Sequence, residues 1–202
     1  MDDFSRAIWI YLLVDKREVS RTLIDFFSLI ERKFDKQVKM IRSDNGTEFI
    51  CHKNYFREHG ITFQTSCSGT TQWNGRVERK HRHILNITCA LRFQHNLIIS
   101  FWGECILTVG YLINLTPTPV LRGKTAYEML YGQPPSPAQY DHLKVFGCLI
   151  YAPNLGKTSD KFSSRSQKCN FYGYPCAKKG WKLFDLDSKC YFVSHYVKKK
   201  LV

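Results

Sequence analysis

The hydrophobic pattern of the sequence changes across one stretch that contains glycine and proline, and this change limits the folds that the chain can adopt. The stretch is GQPPSPAQYD, residues 132–141, in which four of ten residues are glycine or proline. Longer apolar and amphipathic segments precede it, and short apolar runs separated by glycine, lysine and aspartate follow it. We therefore predict one domain over 1–131, a linker at 132–142, a small β domain over 143–197 and a basic tail at 198–202.

The segment before residue 67 alternates between strand-like and helix-like patterns. The continuous apolar run AIWIYLLV at 7–14 predicts a buried strand. Apolar residues at three-to-four spacing predict an amphipathic helix over 18–34. Two further short strands are predicted at 38–41 and 61–66, with a helical turn at 52–60 between them. This alternation favours an α/β layer fold.

Three helices are predicted after a loop at 68–75. The first covers 76–95, the second contains SFWGECILTVGYLINLTP and is stopped by Pro117, and the third is TAYEMLYG. The first helix has apolar residues largely on one side, namely Val77, Ile84, Leu85, Ile87 and Leu91. Beyond the linker, the runs VFGCLIYA, CNFYGY, KLFDL and CYFVSHYV predict a small antiparallel barrel or sandwich.

The chain carries a large excess of positive charge. It has 30 lysine and arginine residues against 17 aspartate and glutamate residues, a formal net charge of +13. Residues 142–202 alone carry 12 basic and 3 acidic side chains. Such an excess attracts a polyanion far more readily than a neutral metabolite, so nucleic acid is the expected class of partner.

The cysteines and the apolar runs limit the compartment. The eight cysteines show no C-x-x-C pair and no zinc-finger spacing, which predicts reduced thiols in the core. No N-terminal signal pattern is present, and we expect no apolar run near the roughly 18 residues of a membrane span. An intracellular protein, in the nucleus or in a cytoplasmic particle, is predicted.

Two carboxylates stand out by their positions. Asp44 follows the predicted strand VKMI in the sequence RSDNG, and Glu78 falls in the first turn of the helix predicted at 76–95. Each has a simple structural explanation, because Ser-Asp-Asn-Gly is a common turn and glutamate is favoured at a helix start by the macrodipole. Two-metal chemistry would instead need such carboxylates to converge on shared Mg²⁺ ions.

The combination of these motifs is more specific than either part. Asp44 lies in RSDNGTEF and Glu78 lies in QWNGRVERKHRHILN, with 33 residues between the two acids. Together these motifs resemble the integrase catalytic core of copia-type LTR retrotransposons, which is in the RNase H-like DDE recombinase superfamily. DDFSRAIWIYLL resembles the second-to-third strand hairpin of that family. The segments FWGECILTVGYLINLTPT and LRGKTAYEMLYGQPPSPAQYDHLKVFGCLIYA, and the remainder to residue 197, resemble its later helices and its SH3-like barrel.

The resemblance implies a fold, a cofactor and a set of roles. The fold class would be α/β, an RNase H-like integrase core followed by a small all-β SH3-like barrel. Asp44 and Glu78 would be the second and third acids of the catalytic triad and would bind Mg²⁺ or Mn²⁺ at a two-metal site for phosphoryl transfer at DNA ends. The partners would be DNA and further integrase copies. The DNA contacts would be Asn45, Gln72, Asn74, Arg76, Arg79, Lys80 and Arg82.

The sequence departs from the family pattern in three places. The first acid of the triad, its strand and most of the second strand have no counterpart in the sequence, and Asp2 and Asp3 match the hairpin turn instead of a catalytic position. The spacing between the acids is two residues shorter than is usual, and Thr71-Gln72-Trp73-Asn74-Gly75 lacks the usual proline. The absent strands predict a gap between the strands at 7–14 and 38–41, poor solubility and no strand transfer.

These departures leave three functional hypotheses. The chain is part of an active integrase polyprotein, or it is a non-catalytic nucleic-acid-binding remnant of a decayed retroelement, or it is an RNase H-type nuclease. The last shares the core fold but gives no reason for a barrel-like C-terminal segment. An integrase-derived fragment that is inactive by itself is the favoured hypothesis.

Overall fold

A computed structural model describes residues 1–43, 46–65, 75–154, 164–176 and 178–199. The chain begins with a tight turn that Asp2 closes. The Asp2 carboxylate accepts hydrogen bonds from the Ser5 amide at 2.7 Å and from the Ser5 hydroxyl at 2.6 Å. Burial alone would raise the pKa of Asp2, but these hydrogen bonds outweigh it and hold the pKa below its ordinary value. The turn leads into Ala7 and Ile8, which are buried.

The strand predicted at 7–14 is wrong, because these residues pair with no neighbouring strand among the described residues. Ile8 instead bonds to a side chain. Its amide donates to Asn114 Oδ1 at 3.0 Å, and its carbonyl accepts from Asn114 Nδ2 at 2.8 Å. The apolar run provides neither complete burial nor a neighbouring strand, because Ala7 and Ile8 are buried whereas residues 11–14 are exposed. Here a helix side chain takes that place.

Helix α1, Glu18–Phe34, has the bounds predicted from its periodicity. It ends where Asp35 adopts a left-handed conformation, with φ of 51°, and donates its amide to the Glu31 carbonyl. Its apolar face is aromatic: the Phe26 ring lies 5.2 Å from that of Trp9, and the Phe27 ring lies 6.3 Å from that of Phe56. These contacts place α1 against both the N-terminal segment and the helix that carries Phe56.

The next four elements form a short parallel sheet and its crossover. They are β1 Met40–Ser43, α2 Thr47–Ile50, α3 Lys53–Glu58 and β2 Thr62–Thr65. The strands pair in parallel, with Met40 opposite Thr62 and Ser43 opposite Thr65. The strands predicted at 38–41 and 61–66 are confirmed, although the first lies two residues further along the chain.

Two long helices form the centre of the molecule. Helix α4 covers Gly75–Gln94, a 3-10 turn covers Ile99–Phe101, and α5 covers Trp102–Leu115. The predicted apolar side of α4 is confirmed in part: Ile84 packs with Ile8, Ile106 and Val109. Val77 and Leu85 are exposed.

Short helices follow α5. A second 3-10 turn covers Pro119–Leu121, α6 covers Ala126–Tyr131 and α7 covers Pro137–Asp141. Helix α7 lies inside the stretch that the sequence predicts to be a linker, so that stretch is not without regular structure. Its capping box explains the difference, because the Ser136 and Gln139 side chains each bond the backbone of the other.

The C-terminal segment is a five-stranded antiparallel sheet. Its strands are β3 Leu149–Pro153, β4 Ser166–Phe171, β5 Trp181–Asp185, β6 Tyr191–Ser194 and β7 Lys198–Lys199, in the order β6-β5-β4-β3-β7. Buried residues of three neighbouring strands form its core, namely Ile150, Ala152, Cys169, Phe171 and Leu183. The predicted small all-β domain is confirmed, as is the α/β class of the segment before it.

The sheet packs directly on α5. The Phe101 ring lies 4.6 Å from the Tyr172 ring, and Tyr111 stacks on Tyr174 at 4.1 Å. A half-buried ion pair joins Lys182 Nζ to Glu104 Oε1 at 2.7 Å. The two regions therefore share one apolar contact surface, although they have different sheet types.

The burial of the cysteines differs in part from the prediction that all of them lie in the core. Cys105 and Cys169 are fully buried, and burial raises the pKa of the Cys169 thiol to about 11. Cys51, Cys89, Cys176 and Cys190 are exposed, so the prediction of core thiols is wrong for these four.

Ile99–Leu121 is long and apolar enough to cross a membrane by length and composition alone. The same composition is typical of a core helix, and this stretch contains α5 with its buried face.

Candidate nucleic-acid interface

The candidate site lies where the parallel sheet ends and α4 begins. Strands β1 and β2 run in parallel, so their carboxyl ends, Ser43 and Thr65, lie at the same edge of the sheet. In α/β sheets this edge is where ligands commonly bind. Arg42 and Gln64 join the strands there, with Arg42 Nε donating to Gln64 Oε1 at 2.9 Å.

The predicted catalytic pair is only partly within the described residues. Glu78 lies in the first turn of α4 and is exposed. Asp44 follows the last residue of β1 in sequence, but it lies outside the described residues, as do Asn45, Gln72 and Asn74. The proximity of Asp44 and Glu78 stays a prediction.

A carboxylate that the sequence did not single out joins the two elements. Asp3 Oδ2 accepts from Arg42 Nη1 on β1 at 2.7 Å, and Asp3 Oδ1 accepts from Arg76 Nη1 on α4 at 2.9 Å. A third guanidinium, that of Arg6, lies 3.3 Å from Asp3 Oδ1. Three arginines and one carboxylate leave a local excess of two positive charges. Such an excess is typical of a surface that binds an anion.

Arg76 occupies a position where a cation is unfavourable by itself. It belongs to the first turn of α4, and the positive end of the helix macrodipole disfavours positive charge there. The Asp3 carboxylate compensates for this repulsion at 2.9 Å. The contact therefore explains how a basic residue is accommodated so close to the helix start.

The other basic residues predicted on α4 extend this surface. Arg79 and Arg82 are exposed, and Lys80 is half-buried. His81 and His83 are exposed on the same helix. The first two turns of α4 thus present three arginines to solvent, where they are accessible to a ligand.

A large cavity lies beside these residues. Its volume is about 860 Å³. Its walls come from the N-terminal turn, the apolar face of α1, residues 36–42, the start of α4 and α6; among the residues are Trp9, Phe26, Ile30, Met40, Val77 and Met129. Arg42, Arg76 and Arg79 lie along its border. The cavity is therefore lined by both the N-terminal segment and β1, which also meet directly through Asp3 and Arg42.

The described residues do not complete a metal site. They contain no cluster of three or more histidine, cysteine, aspartate or glutamate side chains that could hold an ion. Asp3 has both carboxylate oxygens engaged by arginines, and Asp2 bonds to Ser5. Aspartate and glutamate are the right donors for Mg²⁺, but Glu78 is the one described member of the predicted pair.

A second basic surface lies on the C-terminal sheet. A cavity of about 500 Å³ is lined by Lys178, Lys182, Tyr191, Phe192, Val193 and His195. Lys182 Nζ lies 4.8 Å from the centre of the Tyr191 ring. Burial, with a further effect from Glu104, raises the pKa of Tyr191 to about 12. Cations beside a half-exposed aromatic ring are common on surfaces that bind single-stranded nucleic acid.

The C-terminal sheet identifies the class of the domain. Residues 148–199 match the retroviral polymerase SH3-like domain. This range contains all five antiparallel strands, so the predicted SH3-like region is confirmed.

The full chain matches a region of transposon polyproteins. It is 34% identical over 197 residues, 98% of its length, to the retrovirus-related Pol polyprotein from transposon RE2 of Arabidopsis thaliana. It is 35% identical over 187 residues, 92% of its length, to the corresponding polyprotein from transposon TNT 1-94 of Nicotiana tabacum. The chain is therefore homologous to the integrase-like region of retrovirus-related Pol polyproteins from copia-type plant transposons.

The match covers a small part of each relative. The chain spans 13% of the RE2 polyprotein and 14% of the TNT 1-94 polyprotein, so the activities of a whole polyprotein do not follow for it. Among solved structures, the catalytic core domain of BIV integrase aligns with a TM-score of 0.46 and 23% identity, over 63% of this chain and 80% of that one.

Proposed function

We propose that this chain is the DNA-binding part of a retrotransposon integrase and that it serves DNA integration within a longer polyprotein. The observation that supports this proposal most strongly is the exposed basic surface formed by the start of α4 at the carboxyl edge of the parallel sheet. Arg76 shares the Asp3 carboxylate with Arg42, Arg79 borders the same cavity, and Arg82 is exposed on the same helix. Homology to Pol polyproteins over 98% of the chain is consistent with it.

In this proposal the binding is electrostatic and tolerant of sequence. Guanidinium and ammonium groups contact backbone phosphates and release counterions, so the affinity falls steeply as salt is raised. Asn45, Gln72 and Asn74 add contacts beside a DNA end. The basic residues of the C-terminal sheet, around Lys182 and Tyr191, extend the contact. Self-association is part of the same proposal, and the activity takes place inside the cell.

The catalytic part of the proposal concerns the complete polyprotein. Asp44 and Glu78 would hold Mg²⁺ or Mn²⁺ together with a further carboxylate, and the metal would supply activation of the attacking oxygen during strand transfer. The resemblance gives no counterpart in this sequence for the first acid of the triad, so we propose that the 202-residue chain shows no strand transfer by itself; strand transfer by this chain would show that it supplies the further carboxylate. A cleavage assay on an RNA–DNA hybrid tests the alternative of an RNase H-type nuclease.

The binding proposal is tested by neutralising charge in matched sets. The test variant is R76Q/R79Q/K80Q/R82Q on α4, and the control is R32Q/K33Q/K53Q/R57Q, which removes the same charge from exposed residues of α1 and α3. Fluorescence anisotropy with a labelled random duplex is recorded between about 50 and 200 mM salt, the range in which phosphate contacts are usually lost.

We expect the α4 variant to lose affinity and to have a shallower salt slope, by about 0.9 for each phosphate contact removed. The control should change both values less. Equal effects of the two variants, or an affinity that does not depend on salt, would refute a DNA surface on α4.

A further inference from the structure

We propose that Arg42 and Arg76 form a binding site for one phosphate of the nucleic-acid backbone, and that Asp3 occupies this site until the nucleic acid displaces it. The proposal rests on the proposed DNA-binding function and deepens it. It adds Arg42 to the contacts and gives the N-terminal turn a regulatory role, in which the carboxylate of the chain itself competes with the ligand.

The geometry of the donors supports this assignment. Arg42 Nη1 and Arg76 Nη1 reach the two oxygens of one carboxylate at 2.7 and 2.9 Å, although they come from a strand and a helix. A phosphodiester also presents two unesterified oxygens on one atom. Guanidinium groups donate charge-assisted hydrogen bonds to carboxylates and to phosphates alike, and here each arginine donates one to a different oxygen. Asp3 therefore stands where a phosphate group would be bound.

Asp3, Arg42 and Arg76 are exposed, so a phosphate group from solution can reach the arginines and replace the Asp3 carboxylate. The side chains of Asp3, Arg42 and Arg76 are 53%, 46% and 56% exposed. Ion pairs as exposed as these are weak because water screens them and because holding long side chains in place has an entropic cost. A polyanion that also gains contacts to Arg79 can therefore displace Asp3 without unfolding its surroundings.

The local charge balance favours the exchange. Asp3 is one negative charge among three arginines, because Arg6 lies 3.3 Å away as well. Arg76 also stands in the first turn of α4, where the helix macrodipole adds to the attraction for an anion. Asp3 compensates for one of the three positive charges, and a ligand with further negative charge near the site would compensate for more of them.

The test variant is Asp3→Asn, which keeps the size and an acceptor oxygen but removes the charge. The matched control is Asp15→Asn, because Asp15 is also an exposed carboxylate paired to an arginine, Arg17, at 2.6 Å. Both changes raise the net charge by one and release at least one arginine. Anisotropy titrations of a labelled random duplex against the full 202-residue chain are recorded at several salt concentrations.

We expect Asp3→Asn to bind the duplex about two- to tenfold more tightly and to steepen the salt slope by about 0.9 to 1.8, one phosphate contact for each released arginine. Asp15→Asn should change the slope less. An Asp3→Asn slope equal to that of Asp15→Asn, or weaker binding by a variant with unchanged thermal unfolding, would overturn the proposal.

A second measurement remains decisive if Asp3→Asn is less stable than the wild type. Arg42→Gln and Arg76→Gln are each made in the wild-type chain and in the chain that carries Asp3→Asn. If Asp3 blocks the site, each glutamine variant should weaken binding more when Asp3 has been replaced; additive effects would contradict this proposal.

If the α4 variant R76Q/R79Q/K80Q/R82Q weakens binding while these effects are additive, the DNA-binding proposal stands and the Asp3 competition fails. If neither the wild type nor Asp3→Asn binds, both fail.

Discussion

The two sheets of this chain differ in the number of their strands and in how completely their side chains are buried. The parallel sheet consists of two strands of four residues, and β1 borders a cavity of about 860 Å³. The antiparallel sheet has five strands and a core in which Cys169, Phe171 and Leu183 have no exposed surface. Isolated two-stranded sheets are marginal in water, and parallel sheets are normally covered on both faces. The comparison indicates that the C-terminal sheet and the helices beneath it carry most of the stability.

The largest expected effect compares a fully buried position of the antiparallel sheet with a half-exposed position of the parallel sheet. Leu183→Ala, in β5, removes a fully buried side chain and should lower the free energy of unfolding by about 2–5 kcal/mol. Met40→Ala, in β1, removes a side chain that is 43% exposed and should lower it by about 1 kcal/mol or less. Urea unfolding followed by circular dichroism measures both. Equal losses would show that the parallel sheet is as well supported as the other.

The next effect tests whether the two regions unfold together. Phe101 contacts the rings of Tyr172 and Phe184 at 4.6 and 5.3 Å, so Phe101→Ala should destabilise the chain by about 2–4 kcal/mol. Phe93→Ala is the control, because Phe93 is 64% exposed. We expect a single transition at lower temperature in calorimetry for Phe101→Ala. Two separate transitions in the wild type would mean that the regions are independent.

A smaller effect tests how the N-terminal segment is held against α5. A Cβ atom at Gly110 would lie 2.7 Å from Ile10 Cδ1 and 3.3 Å from Ile10 Cγ1, so Gly110→Ala should force the segment away and cost about 1–3 kcal/mol. Gly103→Ala in the same helix meets Leu12 Cδ1 at 3.0 Å, the end of a flexible side chain. It should be nearly neutral, because alanine also favours the helix. Thermal unfolding distinguishes the two variants, and equal melting temperatures would contradict the contact.

The smallest effect is the pH dependence of stability that comes from His142, which packs against the antiparallel sheet at Trp181. His142 stacks on Trp181 at 4.5 Å, and burial, together with the nearby Lys144, lowers the pKa of its imidazole below the ordinary 6.5. The folded state then holds fewer protons than the unfolded state, so this contribution is present above pH 6.5 and is lost as the pH falls below it. His142→Gln should reduce the change in melting temperature between about pH 7 and pH 5. An unchanged difference would show that other groups dominate.

The periodicity of apolar residues predicts those helices and strands whose pattern lies within the element itself. Helix α1 follows its three-to-four apolar spacing from Glu18 to Phe34, and the short strands after residue 143 follow their alternation. The segment 7–14 shows the limit, because its apolar run specifies neither a partner strand nor the exposure of residues 11–14. The linker at 132–142 stays a prediction, and it contains α7, whose local signal is the capping-box spacing of Ser136 and Gln139.

The candidate site was less predictable, because its contacts join distant parts of the chain. Arg76 is one of the DNA contacts that the resemblance implies; its side chain is 56% exposed, and its role stays a prediction. Asp3 was assigned to a hairpin turn, yet it bonds to Arg42, 39 residues away, and to Arg76, 73 residues away. No spacing rule connects such positions. The roles of Asp44, Asn45, Gln72 and Asn74 stay predictions.

The hydrogen bonds between Ile8 and Asn114 have a consequence for synthesis. Their partners are 106 residues apart, so the N-terminal segment cannot dock until α5 has been made. At about 5–20 residues per second, translation of that interval takes roughly 5 to 20 s. During this time Ala7 and Ile8, which are buried in the folded chain, emerge without the surface that will cover them, and the apolar stretch that contains them is a natural target for chaperones on the ribosome. Slower translation before residue 114 should therefore lower the soluble yield in a cell-free system, and an added chaperone should restore it.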